Sequence, residues 1–195
     1  MKQNCAIFFD RDGTLIPDWG YLNTVQGIVL LPGVVEAMKT LQQAGFLLIV
    51  ISNQSGIGRG YFTPKTVQAQ NRQLKRILKE AGVVLAAMDY CPHLPEANCV
   101  CRKPKPGMLL RAAQRFHLDL SRSYMIGDKT TDAIAGRTAG CRTVLLGSTL
   151  SSAADFTVDS ISGATAWILR DATRNAGLVS SCRGKRKRNQ SVWSG

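Results

Sequence analysis

The 195-residue sequence contains no apolar stretch long enough to cross a membrane. Its longest strongly apolar stretch, residues 46–51, is far shorter than the roughly 20 residues that a bilayer requires. The apolar residues near the N-terminus are interrupted at once by Asp10 and Asp12, so a signal-peptide core of the usual length is also missing. These two absences predict a cytoplasmic protein that does not act with a membrane.

Acidic residues are scarce, and the C-terminal segment has none. The sequence has 25 Lys and Arg residues against 13 Asp and Glu residues, a formal net charge of +12, and residues 180–195 carry five of the cations without an acid. A polyanionic partner therefore has to be considered. The chain is too short for two ordinary domains. We expect one domain over residues 1–175 and a basic, disordered tail over residues 176–195.

Short apolar segments alternate with amphipathic ones along the first 171 residues. The pattern predicts strands over residues 5–9, 46–51, 83–90, 123–126, 142–146 and 156–158. Helices are expected between them near 34–44, 64–81, 106–117 and 131–139, with a last one at 160–171. This alternation indicates an α/β fold with a doubly wound, mostly parallel sheet. Ligands of such sheets bind at the carboxyl ends of the strands.

Polar residues with a shared chemistry lie next to four of these predicted elements. Asp10-Arg11-Asp12-Gly13-Thr14 follows the first strand, and Ser52-Asn53-Gln54-Ser55-Gly56 follows the second. Arg102-Lys103-Pro104 precedes the third helix, and Gly127-Asp128-Lys129 with Asp132 follows the fourth strand. A carboxylate pair, a hydroxyl, a lysine and further acids thus recur in chain order where a ligand would bind. Each motif alone is common in turns, but their combination points to phosphoryl transfer.

These residues resemble the haloacid dehalogenase superfamily of phosphatases over residues 5 to about 170. The chemistry of a phosphate ester agrees, because it requires a nucleophile, cations and a proton donor. Asp10 would attack phosphorus, and Asp12 would protonate the leaving oxygen and later deprotonate water. Mg²⁺ would be held by Asp10, Asp128 and the backbone carbonyl of Asp12.

Two further side chains would contact the transferred phosphoryl group, and a third has two open roles. Ser52 and Lys103 are expected to hold its equatorial oxygens. Asp132 could bind the metal through water or pair with Lys103, and an acid at the start of a helix needs neither role.

A cluster of cysteines and a histidine lies between the third strand and Lys103. Three thiolates and one imidazole form a closed tetrahedral donor set, which is typical of structural zinc. Such a zinc ion would hold an irregular loop next to Arg102 and Lys103. The expected zinc ligands are Cys91, His93, Cys99 and Cys101.

The gaps between motifs leave no room for a cap domain, so loops must cover the site. The full motif pattern, including Asp18-Trp19-Gly20-Tyr21 and CPH followed by CxCRKPxPGM, resembles the family of D-glycero-D-manno-heptose 1,7-bisphosphate 7-phosphatases. That resemblance implies that the 7-phosphate of a sugar bisphosphate is hydrolysed for the synthesis of lipopolysaccharide or other surface glycans. It implies that Asp18, Trp19, Gly20, Tyr21, Ser52, Asn53, Gln54 and Ser55 line the substrate, that Arg102 recognises it and that Lys129 binds phosphate. Ser52 replaces the usual Thr, and the basic tail has no counterpart in this pattern.

Three other functions remain open at this point. The zinc loop is also similar to that of histidinol-phosphate phosphatases, although Ser55 and the segment 58–62 depart from that pattern. Residues 53–60 are similar to polynucleotide 3′-phosphatases, but the zinc loop is not, and no GxxxxGK[ST] motif indicates a linked kinase. A nucleic-acid-binding protein acting through Lys185–Arg188 is the third alternative, but stacking aromatics are nearly missing there. We therefore expect a monomeric phosphatase whose partner is a small molecule and not a nucleic acid.

Overall fold

The computed structural model of the chain describes residues 3–148 and 151–174. It contains six strands: β1 (Ala6–Phe9), β2 (Leu47–Asn53), β3 (Leu85–Cys91), β4 (Tyr124–Gly127), β5 (Arg142–Leu146) and β6 (Phe156–Val158). The five α-helices are α1 (Val34–Gln43), α2 (Pro64–Glu80), α3 (Gly107–Phe116), α4 (Thr130–Ala139) and α5 (Ile161–Arg174). Short 3₁₀ turns lie at Pro95–Ala97 and Leu120–Arg122. The predicted tail at 176–195 lies outside the described residues.

The six strands form one sheet in the order β3-β2-β1-β4-β5-β6. Every neighbouring pair is parallel, which confirms the predicted doubly wound sheet. Successive strands are added on one side of β1 up to β3 and on its other side from β4 onward, so the strand order changes direction between β1 and β4. At such a switch point a crevice opens at the carboxyl ends of the strands. Asp10 directly follows β1 and Asp128 directly follows β4, so both acids lie at this crevice.

Helices cover both faces of the sheet. Alternate side chains of β1 enter different cores, because successive residues of a strand point to opposite faces: Ile7 and Phe9 belong to one core, Ala6 and Phe8 to the other. The first core is completed by α1, α2 and α5, and the second by α3 and α4. The central strands are therefore apolar on both faces, which explains their continuous hydrophobic sequence.

Local sequence signals account for the ends of several elements. Thr63 caps α2 by accepting a hydrogen bond from the backbone N–H of Thr66, and Pro64 occupies the first turn, where no N–H is needed. Gly140 ends α4 in the left-handed conformation with φ of 94°. No helix within the described residues is long and apolar enough to span a membrane.

Candidate active site

The polar residues that follow the strands converge on one open cavity of about 390 Å³. Phe62, Thr131 and Asp132 also line it. Of the residues singled out in the sequence, the following line the cavity: Asp10, Asp12, Asp18, Gly20, Tyr21, Asn53, Gln54, Ser55, Arg102, Lys103 and Lys129. The lining does not include Trp19, Ser52 or Asp128, although all three are described.

Asp10 and Lys103 form a buried ion pair at the base of this cavity. The Lys103 ammonium group lies 2.5 Å from Asp10 Oδ1, and it also donates to the carbonyl oxygen of Ile51 at 3.1 Å. Only 6% of Asp10 and 3% of Lys103 is exposed. Burial disfavours the charged carboxylate and raises the pKa of Asp10 to about 6, although the Lys103 charge lowers it. Lys103 remains a cation, because the attraction of Asp10 and Asp132 outweighs burial and raises its pKa.

Asp132 is a second partner of Lys103. Its Oδ1 lies 2.6 Å from the Lys103 ammonium nitrogen, and its Oδ2 accepts a hydrogen bond from the backbone N–H of Lys129 at 3.0 Å. The side chain is 1% exposed. Of the roles left open by the sequence, pairing with Lys103 is therefore the one that the geometry supports, and both carboxylate oxygens are occupied.

Asp128 lies across the switch point from Asp10, and the charge of Asp10 contributes to the raised pKa of Asp128. Burial, followed by the charge of Asp10, raises the pKa of Asp128 to about 6. One oxygen from each of Asp10, Asp128 and Asp132 lies within 4.8 Å of the others. A Cβ atom on Gly13 would lie 2.2 Å from Asp128 Oδ2, so glycine lets the backbone after Asp12 approach this carboxylate closely. Closely spaced carboxylate oxygens are the donor set that a hard divalent cation requires, and these residues fit Mg²⁺.

The carboxyl group of Asp12 is held from three directions. It accepts hydrogen bonds from Arg11 Nε and Nη2, both at 3.1 Å, and from the Gln54 amide at 2.7 Å. Gln54 Nε2 also lies 3.2 Å from the hydroxyl oxygen of Ser52. Ser52 is 2% exposed and is not among the residues that line the cavity.

Asn53 fixes the backbone at Lys103. Its amide nitrogen donates to the Lys103 carbonyl oxygen at 3.0 Å, and its amide oxygen accepts from the Lys103 N–H at 3.1 Å. The side chain that the resemblance places against substrate thus also holds the backbone of Lys103.

The zinc-loop residues cluster as their spacing predicts. The three cysteine sulfurs are 3.3–3.5 Å apart, and His93 Nδ1 lies 3.5 Å from Cys91 Sγ and 3.4 Å from Cys101 Sγ. None of these cysteines forms a disulfide. A tetrahedral zinc ion with Zn–S distances of about 2.3 Å has ligand atoms roughly 3.8 Å apart. Cys91, His93, Cys99 and Cys101 therefore fit zinc in the number and kind of their donor atoms, and these atoms lie slightly closer together than in a zinc-bound site.

The loop over residues 17–31 contributes one wall of the cavity. Lys129 Nζ lies 2.8 Å from Asp18 Oδ2. Burial by itself would raise the pKa of Asp18. The hydrogen bonds from Lys129 and from the Gly20 N–H outweigh burial, so the pKa of Asp18 is lowered. Trp19 is 57% exposed and donates its indole N–H to the carbonyl oxygen of Gly27, so it closes the loop on itself. Tyr21 packs edge-on against Tyr61 with ring centroids 4.8 Å apart.

Known proteins are similar to this chain in sequence and in fold. A curated relative from Haemophilus ducreyi, D-glycero-beta-D-manno-heptose-1,7-bisphosphate 7-phosphatase, is 44% identical over 148 residues, which cover 72% of this chain and 81% of the relative. The chain belongs to this phosphatase family. A protein of the same name from Escherichia coli K12 is 41% identical over 72% of this chain and 78% of its own length.

Structural and domain comparisons place the family in the haloacid dehalogenase superfamily. Residues 100–172 match the model of HAD-hydrolase-like proteins. The crystal structure of D,D-heptose 1,7-bisphosphate phosphatase from B. bronchiseptica, complexed with magnesium and phosphate, superposes with a TM-score of 0.78. It is 30% identical and covers 86% of this chain and 99% of that one. The chain is therefore a haloacid dehalogenase-type phosphatase, which confirms the expected enzyme class.

Sequence reasoning assigned no role to two buried residues that contact the site. Arg11 is 1% exposed and Gln70 is fully buried. The position of Arg11 between Asp10 and Asp12 in the motif is a signal for its role, but Gln70 lies within an ordinary amphipathic helix. The sequence leaves the role of Asp132 open, because an acid in the first turn of a helix is common without any ligand.

Proposed function

We propose that the protein hydrolyses the 7-phosphate of D-glycero-β-D-manno-heptose 1,7-bisphosphate, through an aspartyl-phosphate on Asp10, for nucleotide-heptose synthesis in the cytoplasm. The observation that carries the chemistry is the buried contact of 2.5 Å between Asp10 and Lys103 at the switch point of the sheet. The substrate is proposed from the names of the relatives and from the number of cations around the cavity.

The first step transfers the phosphoryl group to the protein. Asp10 attacks phosphorus as the bond to the sugar oxygen breaks, and Asp12 gives that oxygen a proton. Lys103 attracts the phosphoryl oxygens, while Asp132 and Asn53 hold it in place. In the second step Asp12 takes a proton from water, which attacks phosphorus and releases Asp10. Ser52 is proposed to orient the phosphoryl group with Gln54, since the two side chains are hydrogen-bonded.

Mg²⁺ is the proposed catalytic cofactor, held by Asp10, Asp128 and the backbone carbonyl of Asp12. When bound it would spread the negative charge of the phosphoryl group and of the two carboxylates. The geometry of the carboxylates supports this role, because oxygens of Asp10 and Asp128 lie within 4.8 Å of each other and are of the kind that this cation prefers.

Zinc is the proposed structural cofactor, bound by Cys91, His93, Cys99 and Cys101. Arg102 directly follows this set and donates to the carbonyl oxygen of His93 at 3.3 Å. Holding the loop would therefore hold Arg102 at the edge of the cavity and Lys103 at its base.

Arg102 and Lys129 are proposed to recognise the second phosphate of the substrate. Both line the cavity in addition to the lysine that the chemistry requires. Asp18 occupies Lys129 at 2.8 Å, so substrate binding would compete with this ion pair. Asp18, Gly20, Tyr21, Asn53, Gln54 and Ser55 complete the proposed substrate surface, with Trp19 supporting its loop. We propose a monomer that does not require nucleic acid.

Phosphate release in the presence of Mg²⁺ tests this function. Heptose 1,7-bisphosphate, histidinol phosphate and simple sugar monophosphates should be compared with the wild type and with Asp10→Asn. We expect the heptose bisphosphate to have the highest kcat/KM, one phosphate to be released per molecule, and Asp10→Asn to be inactive. Equal turnover of histidinol phosphate would contradict the assigned substrate, and full activity of Asp10→Asn would contradict the mechanism.

A further inference from the structure

Arg11 lies between the two catalytic aspartates in sequence, but its charge does not face the cavity. It is 1% exposed and is not part of the cavity lining. Its guanidinium group instead holds Asp12 at two points, with Nε 3.1 Å from Oδ2 and Nη2 3.1 Å from Oδ1. A planar group bound to both oxygens fixes the plane of a carboxyl group as well as its position.

The other edge of the guanidinium group is held by helix α2. Arg11 Nη1 donates to Gln70 Oε1 at 3.1 Å and to Asn71 Oδ1 at 3.2 Å. The Gln70 amide nitrogen donates in turn to the carbonyl oxygens of Leu22 and Thr24, at 2.8 and 3.3 Å. Fully buried Gln70 therefore joins Arg11 to the loop whose residues Asp18, Gly20 and Tyr21 line the cavity.

These contacts make the two oxygens of Asp12 unequal. Oδ2 accepts from both Arg11 Nε and the Gln54 amide, whereas Oδ1 accepts from Arg11 Nη2 alone. Each carboxylate oxygen offers about two acceptor positions. The remaining position is therefore on Oδ1, and rotation of the carboxyl group would break both bonds to Arg11.

We propose that Arg11, held by Gln70, is a positioning residue that orients Asp12 so that Oδ1 exchanges the proton with the leaving oxygen. This inference rests on the proposed function, in which Asp12 is the proton donor. The electron pair of the broken phosphorus–oxygen bond stays on the leaving oxygen, which receives the proton from Asp12. Arg11 exchanges no proton, because a guanidinium group stays protonated in proteins.

The dependence of the rate on the leaving group separates this role from a structural one. Phenyl phosphate needs a proton on its leaving oxygen more than 4-nitrophenyl phosphate does, because nitrophenolate is a stable anion. The quantity to compare is the ratio of kcat/KM for the two esters, since kcat/KM covers the steps up to departure of the phenol. Both esters are measured on one preparation, so a reduced folded fraction cancels from the ratio.

The variants are Arg11→Met, Arg11→Lys and Gln70→Leu, with Asp12→Asn as reference for loss of the proton donor. Arg76→Met is the matched control, because Arg76 lies on the same helix in an exposed pair with Glu80. We expect Arg11→Met to lower kcat/KM for phenyl phosphate roughly tenfold to hundredfold more than for 4-nitrophenyl phosphate. Arg11→Lys and Gln70→Leu should show a smaller change in the same direction, and Arg76→Met none.

Two results would overturn the proposal in distinguishable ways. If Asp12→Asn changes the ratio but Arg11→Met lowers both rates equally, Arg11 stabilises the fold without orienting Asp12. If Asp12→Asn itself leaves the ratio unchanged, Asp12 is not the proton donor, and that part of the proposed function fails together with the role of Arg11.

Discussion

Asp10 and Asp128 show how the charge state of a single residue depends on its neighbours. The pKa of each rises from 3.8 to about 6, first because of burial and then because the nearby carboxylates repel one another. Between about pH 4 and pH 6 these two carboxyl groups therefore bind more protons in the folded protein than in the unfolded chain. Their contribution to stability falls as the pH rises through this range, because their ionisation is easier in the unfolded chain.

This linkage predicts how Mg²⁺ affects thermal stability. Without Mg²⁺ we expect the contribution of these two carboxyls to the melting temperature to decrease between pH 4 and pH 7, by a few °C. Mg²⁺ should raise the melting temperature more at pH 7.5 than at pH 5, because protons compete with it for the carboxylates. Thermal unfolding at several pH values with and without Mg²⁺ measures both effects. An Mg²⁺-dependent shift of the same size at both pH values would contradict the assigned ligands.

A second prediction concerns Asp132 and its two possible roles. We expect Asp132→Asn to lower kcat on the order of tenfold to hundredfold, because Lys103 loses one of the two carboxylates that position it. The Mg²⁺ concentration for half-maximal activity should stay near that of the wild type. Asp128→Asn is the matched comparison and should raise that concentration. A large increase for Asp132→Asn as well would show that Asp132 also supports the metal.

Among the structural elements, the loop that ends at Cys101 joins the proposed zinc ligands to Arg102, which is proposed to bind the substrate. The four ligand atoms lie in one compact cluster, and Arg102 follows it directly with a hydrogen bond back to His93. Lys105 adds a further tie by donating to the carbonyl and amide oxygens of Asn98. Such a loop has little regular backbone pairing, so it depends on side-chain contacts and on the zinc ion that we propose.

Removal of the metal should therefore affect binding as well as stability. We expect Cys99→Ser to reduce the zinc content and to raise KM for the bisphosphate severalfold, since Arg102 is no longer held. Cys141→Ser is the matched control, because Cys141 is buried but is not one of the four clustered residues, and burial raises the pKa of its thiol to about 12. Elemental analysis and steady-state kinetics provide the readouts. An unchanged KM in a zinc-depleted Cys99→Ser enzyme would contradict a positioning role for the metal.

In the whole molecule, the two cores on either side of the sheet hold the strand ends that form the site. Their described members lie between Cys5 and Ala172. The cavity at these strand ends is lined by three cationic side chains, Arg102, Lys103 and Lys129. Part of the net charge of +12 is therefore available for the proposed recognition of a small polyanion.

A shortened chain tests the proposed domain boundary. We expect a protein that ends at residue 175 to keep its melting temperature and its kcat/KM within about twofold, because it retains both cores and all proposed site residues. Binding to a random DNA duplex at two salt concentrations, with and without residues 176–195, supplies the second readout. A loss of activity on truncation would place a functional role in the tail, and binding that depends on both salt and the tail would support nucleic acid as a partner.

The fold and most of the candidate site follow from local sequence patterns. Apolar segments of strand length alternate with capped amphipathic helices, and this alternation predicted the strands and helices to within a few residues at each end. The carboxyl ends of parallel strands meet at one edge of a sheet. Asp10, Asp12 and Asp128 follow strands and Lys103 lies in a loop before a helix, so the sequence groups these four residues. The zinc-ligand set was equally accessible, because its four members lie within eleven residues of one another.

Side-chain partners that are distant in sequence required the folded chain. Packing between elements determines three contacts of the site. These are the ion pair of Asp132 with Lys103, the hydrogen bond between Ser52 and Gln54, and the contact of Asn53 with the Lys103 backbone. Arg11 and Gln70 are 59 residues apart, and neither has a periodic pattern that reveals the other. Motif spacing determines which groups are available at the site. Burial and long-range hydrogen bonds determine which atom each group contacts, and both arise only when distant segments of the folded chain exclude water together.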